Sequence, residues 1–141
     1  MARRAEQLRL SRVLAWATAI VFLLIALLVP PVFCRIVPSY ALAQSSRLDL
    51  RRDMEFGAVD YTEPSLVWYF RRDVSGFMTP LKGKEAAAFL EKPGARFVIL
   101  PTNSVARFFP EPDASWPSYR VRGWNLAKGE RVDVTMLIKP Q

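Results

Sequence analysis

Residues 13 to 33 contain no charged side chain, and this apolar run constrains the fold more than any other feature of the sequence. A helix rises about 1.5 Å per residue, so about 20 residues cross a hydrocarbon core roughly 30 Å thick. Because the bilayer core offers the backbone no water, such a run is best accommodated as a helix that bonds its own amides. The sequence predicts a transmembrane helix over residues 13 to 33, with its regular part ending near Val29, before two prolines.

The charges on either side of this run predict its orientation. Four arginines precede the run, at positions 3, 4, 9 and 12, whereas Arg35 alone follows it closely. Basic residues near a span tend to remain in the cytoplasm. We therefore expect residues 1 to 12 to be a cytoplasmic basic segment of a single-pass protein in the bacterial inner membrane, with the C-terminal domain on the periplasmic side.

Two alternatives to a permanent anchor remain open. Ala41-Leu42-Ala43 resembles a peptidase site, and cleavage after Ala43 would release a secreted domain. The apolar run is, however, longer than the 7 to 15 residues usual in a signal peptide. Lipidation at Cys34 is less favoured, because bulky Phe33 stands where a small residue is expected. We expect the helix to remain attached.

The composition excludes several kinds of chemistry. The chain has no histidine and one cysteine, which removes histidine triads, imidazole switches, intrachain disulfides and paired-cysteine metal sites. The net charge of +7 is concentrated in residues 1 to 35, and the later basic and acidic residues are interleaved, so nucleic acid is not an expected partner. No glycine-rich phosphate loop or activated serine is found, and we assign no catalytic, cofactor-binding or metal-ligating residue.

The remaining sequence predicts a connector at residues 34 to 53 and a soluble extracytoplasmic domain at residues 54 to 141. Short apolar runs, helical spacings and alternating patterns occur in the order strand, helix, helix, strand, short helix and hairpin. This order predicts an α/β (α+β) fold: a small mixed β-sheet with two to three helices and a C-terminal β-hairpin.

Four charged residues around the first helix of this domain are candidate contacts for an acceptor or a phosphate. Asp60 and Glu63 lie where the first strand leads into the helix, a place where α/β sheets often bind ligands. Arg71 and Arg72 lie at the other end, and guanidinium groups pair well with phosphate. Each pair also has a structural explanation, since acidic residues suit the start of a helix and basic residues suit its end.

Three segments carry a family resemblance: YTEPSLVWYFRRDVSGFMTPL (61 to 81), ARFVILPT (95 to 102) and RGWNLAKGERVDVTMLIKP (122 to 140). They resemble the C-terminal part of bacterial polytopic glycosyltransferases of the protein O-mannosyltransferase and lipid A aminoarabinose transferase superfamily. The resemblance covers the last transmembrane helix and the soluble extracytoplasmic domain. It implies transfer of a sugar from a polyprenyl-phosphate donor to an extracytoplasmic acceptor.

The same resemblance implies that this chain alone is inactive. The catalytic acid of the superfamily, and any divalent metal, would belong to a polytopic membrane domain that has no counterpart here. The chain is thus expected to be a C-terminal fragment or subunit, with the lipid bilayer, such a membrane domain or the lipid-linked sugar as partners. The alternative is a single-pass membrane-anchored binding or interaction module without enzymatic activity.

Overall fold

The computed structural model describes residues 2 to 140, with the side chains of residues 9 to 140 except those at 33 and 35. The chain divides into two compact units, Met1–Cys34 and Arg35–Gln141. The first unit belongs to helix α1, Ala2–Ile36. Within it, Arg9–Val32 is long and apolar enough to span a membrane, and none of its most apolar window is buried. The predicted N-terminal helix of spanning length is therefore confirmed.

Helix α1 does not end near Val29 as the prolines suggest. It continues through Pro30 and Pro31 to Ile36. Proline fixes φ near the helical value, so its main cost inside a helix is a lost hydrogen bond and a clash with the preceding turn. Because Pro30 and Pro31 are adjacent, their lost hydrogen bonds and steric clashes fall within a single turn of α1. The helix continues on either side of that turn.

The second unit is built on a five-stranded mixed sheet in the order β2-β1-β3-β5-β4. Strands β2, β1 and β3 are parallel, whereas β5 is antiparallel to both β3 and β4. The strands are β1 (Glu55–Val59), β2 (Met78–Leu81), β3 (Arg96–Pro101), β4 (Ser118–Asn125) and β5 (Glu130–Lys139). The mixed sheet and the C-terminal hairpin confirm the predicted fold class. Strand β2 is absent from the sequence prediction, because this short edge strand contains Pro80 and is only partly buried.

Four short helices cover the two faces of the sheet: α2 (Pro38–Ser45), α3 (Pro64–Phe70), α4 (Glu85–Glu91) and α5 (Thr102–Phe108). Helices α2 and α3 pack on one face, where the rings of Phe56 and Phe97 stack with centroids 4.9 Å apart. Helices α4 and α5 pack on the other face, around Val98 and Leu100. Helices of seven or eight residues are marginal alone, so their stability comes from this packing.

The predicted connector at residues 34 to 53 differs from the structure, because it contains helix α2 and contributes to the core. Leu42 is fully buried, and Val37 and Ala43 are nearly so. Pro38 suits the first turn of a helix, and the apolar side chains that follow it face the sheet. The folded unit therefore begins at Arg35 rather than at residue 54.

Gly123 on β4 allows α2 to approach the sheet. A Cβ atom at this position would lie 2.4 Å from the carbonyl oxygen of Ile36 and 2.8 Å from the ring of Pro38. The carbonyl belongs to the backbone and cannot rotate away, so a larger residue must displace the start of α2.

We predict that Gly123→Ala lowers the free energy of unfolding by about 1 to 3 kcal/mol, the usual cost of overpacking. Chemical denaturation of the full chain in detergent, followed by circular dichroism, measures this loss. Ser118→Ala, at an exposed position of the same strand, is the control and should change little. Equal stability of Gly123→Ala and the wild type would contradict this packing.

Candidate functional site

A crevice opens at the carboxyl ends of β1 and β3. After β1 the chain crosses one face of the sheet through α3 to β2, and after β3 it crosses the other face through α5 toward β4. The connections from two adjacent parallel strands thus leave in opposite directions, which is where open α/β sheets bind ligands. The crevice encloses about 490 Å³ and is lined by Asp60, Tyr61, Pro101, Thr102, Asn103, Arg120, Asn125, Lys128, Glu130, Arg131, Val132, Asp133 and Val134.

The β4–β5 hairpin forms one wall of this crevice. The pairing of β3 with β5 stops at Pro101 and Val134. Residues 130 to 133 of β5 pair with β4 alone, so the hairpin projects past the end of β3. At its turn, the Asn125 side-chain oxygen accepts a hydrogen bond from the Lys128 amide at 3.0 Å, which holds the tip in place.

Asp133 fixes this wall by accepting hydrogen bonds from three side chains. Arg120 donates from two nitrogens, at 2.8 and 2.6 Å, and Arg122 donates from Nε at 2.8 Å. The hydroxyl of Thr102, which follows β3, donates at 2.6 Å. The Arg120 bonds, followed by that of Thr102, hold the pKa of Asp133 far below its usual range. Asp133 is therefore an ionised carboxylate whose oxygens already accept hydrogen bonds within the protein. It links the hairpin to β3 and is not free to bind a ligand.

Asp60 is the free carboxylate of the crevice. Its φ of 58° makes it the one non-glycine residue with positive φ among residues 2 to 140. The Tyr61 amide donates to the Val59 carbonyl at 2.6 Å, closing a three-residue turn around Asp60. The exposed side chain makes no hydrogen bond or ion pair with any residue that the structure describes. Such backbone strain outside glycine is concentrated at functional sites in proteins.

Glu63, although three residues from Asp60, lies in a different environment. It is 6% exposed, and its Oε2 accepts hydrogen bonds from the Tyr61 hydroxyl at 3.0 Å and the Ser65 hydroxyl at 2.9 Å. Ser39 of α2 bonds to both hydroxyls, at 3.1 and 2.8 Å. Burial is the largest cause of a strongly raised pKa at Tyr61. These four residues join α2 to the start of α3, so the role of Glu63 in this arrangement is structural.

Arg71 and Arg72 lie at the far end of α3, and Arg71 is about 12 Å along the helix axis from Glu63. The Arg71 guanidinium carbon is 5.7 Å from the centre of the Trp68 ring. Arg72 borders a second depression of about 230 Å³, whose lining also includes Tyr40, Arg47, Trp68, Tyr69 and Asp73. The four candidate residues therefore occupy three places: the crevice, the buried cluster and the outer surface of α2 and α3.

The sequence prediction missed most of the polar lining of the crevice. Asn103 lies in the first turn of α5, two residues after the end of β3, and Lys128 and Arg131 come from the hairpin. The position of Asn103 after a buried strand could have indicated it, whereas the hairpin residues become part of the site only through the sheet order. Within residues 2 to 140, no cluster of three or more histidine, cysteine or acidic side chains could hold a metal ion.

No family model and no curated protein sequence matches this chain. Among solved structures it is similar to a protein-(glutamine-N5) methyltransferase, specific for release factors, from Alicyclobacillus acidocaldarius. The match has 12% sequence identity and a TM-score of 0.35, and it covers 74% of this chain and 94% of the other. At that score the likeness supports no argument about fold or activity.

The family resemblance stated from the sequence is wrong. None of the three comparisons finds a protein O-mannosyltransferase or an aminoarabinose transferase. The three resembling segments correspond to α3 with β2, to β3, and to the hairpin, which are general elements of an α/β fold. Sugar transfer, which depended on this resemblance, stays an untested prediction.

We predict that Tyr61→Phe lowers the free energy of unfolding by about 1 to 2 kcal/mol, because it removes a buried donor to Glu63. The raised pKa adds a pH dependence. Above the ordinary tyrosine pKa of about 10, the unfolded chain ionises while the buried phenol stays protonated, so wild-type stability falls with rising pH.

The loss of folding stability at alkaline pH should be smaller in Tyr61→Phe than in the wild type. Denaturation curves between pH 7 and pH 11 would test both effects. Tyr40→Phe is the matched control, since its ring meets Tyr69 edge-on with centroids 5.4 Å apart and the substitution preserves that contact. Equal alkaline sensitivity of Tyr61→Phe and Tyr40→Phe would contradict the buried cluster.

Proposed function

We propose that this chain is a single-pass membrane-anchored binding module. Its N-terminus lies in the cytoplasm, its domain lies on the opposite side of the membrane, and the crevice at β1 and β3 takes a small polar ligand. The observation that carries the binding role is the free, strained carboxylate of Asp60 in a cavity at the switch point of the sheet. The bacterial inner membrane stays a prediction from the sequence.

The exposed apolar surface of α1 supports the anchor. Large hydrophobic side chains are at least 43% exposed from Leu10 to Val32, where no described residue covers them. A continuous apolar surface of this length is typical of a segment that contacts lipid. The arginines before the span support the cytoplasmic N-terminus.

The packing of α2 supports a permanent anchor over a cleaved signal peptide. Ala43 lies inside α2, whereas proteolytic cuts favour exposed and irregular chain. A cut after Ala43 would also remove Val37, Ser39 and Leu42, which are each no more than 5% exposed. The apolar sheet face under α2 would then be exposed to solvent. The hydroxyls of Tyr61 and Ser65 would lose their hydrogen bonds to Ser39.

The lining of the crevice supports a small ligand with both donor and acceptor groups. Asp60 supplies an acceptor, and Lys128, Arg131 and Asn103 supply donors. Arg131 is positioned by Trp124, with its guanidinium carbon 5.6 Å from the ring centre. A cavity of about 490 Å³ lies within the range of small-molecule sites.

The orientation can be tested with single cysteines in a Cys34→Ser background. We predict that a membrane-impermeant maleimide labels Ser115→Cys, in an exposed loop, when it is added outside intact cells. Ala5→Cys should be labelled only after the membrane is permeabilised. Labelling of Ala5→Cys alone in intact cells would contradict the proposed topology.

The binding role can be tested by thermal unfolding of the full chain in detergent with a panel of amino acids, polyols and small organic acids. A ligand of the crevice should raise the Tm of the wild type. We predict that Asp60→Gly abolishes this rise while stabilising the free protein by about 1 kcal/mol, because glycine tolerates positive φ.

Glu111→Gln, an exposed position outside the crevice lining, is the control and should keep the ligand-induced rise. Two results would contradict the binding role. Either no compound raises the Tm of the wild type, or Asp60→Gly responds to the ligand as the wild type does.

A further inference from the structure

The outer side of α2 and α3 carries a surface that the crevice does not explain. We call it the aromatic-arginine surface, and it consists of Tyr40, Arg47, Trp68, Tyr69, Arg71 and Arg72. Trp68 is 67% exposed, an unusual state for so large a ring in a folded domain. Leu48, which follows α2 closely, is 99% exposed. Exposed apolar side chains and arginine side chains therefore lie near one another on this outer surface.

The charge of this surface is positive. Arg47, Arg71 and Arg72 contribute three guanidinium groups, and Asp73 contributes the one carboxylate that borders the same depression. Arg47 pairs with Asp73 at 3.8 Å, whereas Arg71 lies against the Trp68 ring. Arg72 is exposed and makes no hydrogen bond or ion pair with any described residue. Two cations are thus free to bind an anionic partner.

The position of α2 along the chain indicates which partner is close. The candidate span ends at Val32 and α2 begins at Pro38. The six Cα–Cα steps from Val32 to Pro38 reach at most about 22 Å even when fully extended. Any arrangement of an anchored chain therefore keeps the start of α2 near the lipid headgroups. Tryptophan and tyrosine are enriched at that depth, and arginine extends its charge into it.

We propose that the aromatic-arginine surface lies in the headgroup layer of the membrane that anchors the chain, and that its arginines bind the phosphates of anionic phospholipids. Planar guanidinium groups pair with phosphate oxygens through two parallel hydrogen bonds. The exposed Trp68 ring and Leu48 side chain then lie at the boundary between headgroups and acyl chains. The inference rests on the anchoring part of the proposed function and is independent of the crevice.

Fluorescence quenching in reconstituted vesicles tests this contact. The full chain carries Trp68 as its single tryptophan after Trp16→Phe, Trp116→Phe and Trp124→Phe. The vesicles contain phosphatidylcholine with phosphatidylglycerol and a lipid whose doxyl quencher lies near the headgroup. The matched control keeps Trp116 instead, because that residue packs on the opposite face of the sheet with α4 and α5.

We predict that Trp68 is quenched at least about twofold more than Trp116 when phosphatidylglycerol is present. The difference should decrease in pure phosphatidylcholine, at high salt, and in Arg71→Gln combined with Arg72→Gln. Far-ultraviolet circular dichroism should be the same for all variants, which shows that they are folded.

Equal quenching of Trp68 and Trp116 in vesicles that carry the protein would overturn the inference and leave the anchor intact. If Trp68 is strongly quenched, and the quenching is the same in neutral vesicles and in the double arginine variant, the phosphate contact would be overturned. Failure of the chain to float with the vesicles would overturn the anchor and this inference together. Quenching that is suppressed by an added soluble protein would assign the surface to a protein partner instead.

Discussion

The packing of helix α2 on the sheet is the interaction on which the rest of the structure depends. Leu42 is fully buried against this face, and the bare backbone of Gly123 allows the helix to come close. The same helix supplies Ser39, which bonds to the hydroxyls that hold Glu63. Because α2 follows the apolar span after only five residues, this short helix belongs to the core of the domain and, in the proposed anchored chain, also limits the distance between the domain and the membrane.

The two ends of α3 lie next to different features of the domain: the crevice at its start and the aromatic-arginine surface at its end. Before its first turn, the chain turns sharply at Asp60 and leaves a carboxylate free in the crevice at a cost in backbone strain. Beyond its last turn, Arg71 and Arg72 form part of an aromatic surface on the outside. The hairpin wall of the crevice is tied to the end of β3, since both oxygens of Asp133 accept hydrogen bonds from arginine and threonine donors. The proposed ligand crevice and the proposed membrane surface therefore lie at different ends of α3.

The sequence predicted elements whose own pattern is strong and missed those defined by tertiary contacts. The uncharged run, the continuous apolar strand β3 and the alternating hairpin each carry a strong local signal, and all three are present. Helix α2 and strand β2 are short and contain proline, so their formation depends on packing that no local pattern shows.

The candidate site was predictable only in part, for the same reason. Asp60 was found from its place after a strand, but the contrast with buried Glu63 depends on Tyr61, Ser39 and Ser65 meeting in space. Lys128 and Arg131 reach the crevice because β5 inserts beside β3, an order that the linear sequence does not show. The family resemblance failed because its segments match the common elements of an α/β sheet and include no functional site.

The mass and location of the mature chain show whether the apolar helix is a permanent membrane anchor. After expression, membranes are washed with alkaline carbonate, and the retained protein is measured by intact mass spectrometry. If the apolar helix is a permanent anchor, the washed membranes retain the whole expressed chain of 16.1 kDa, with or without Met1. A chain released into the aqueous fraction, or one that begins at Gln44, would contradict it.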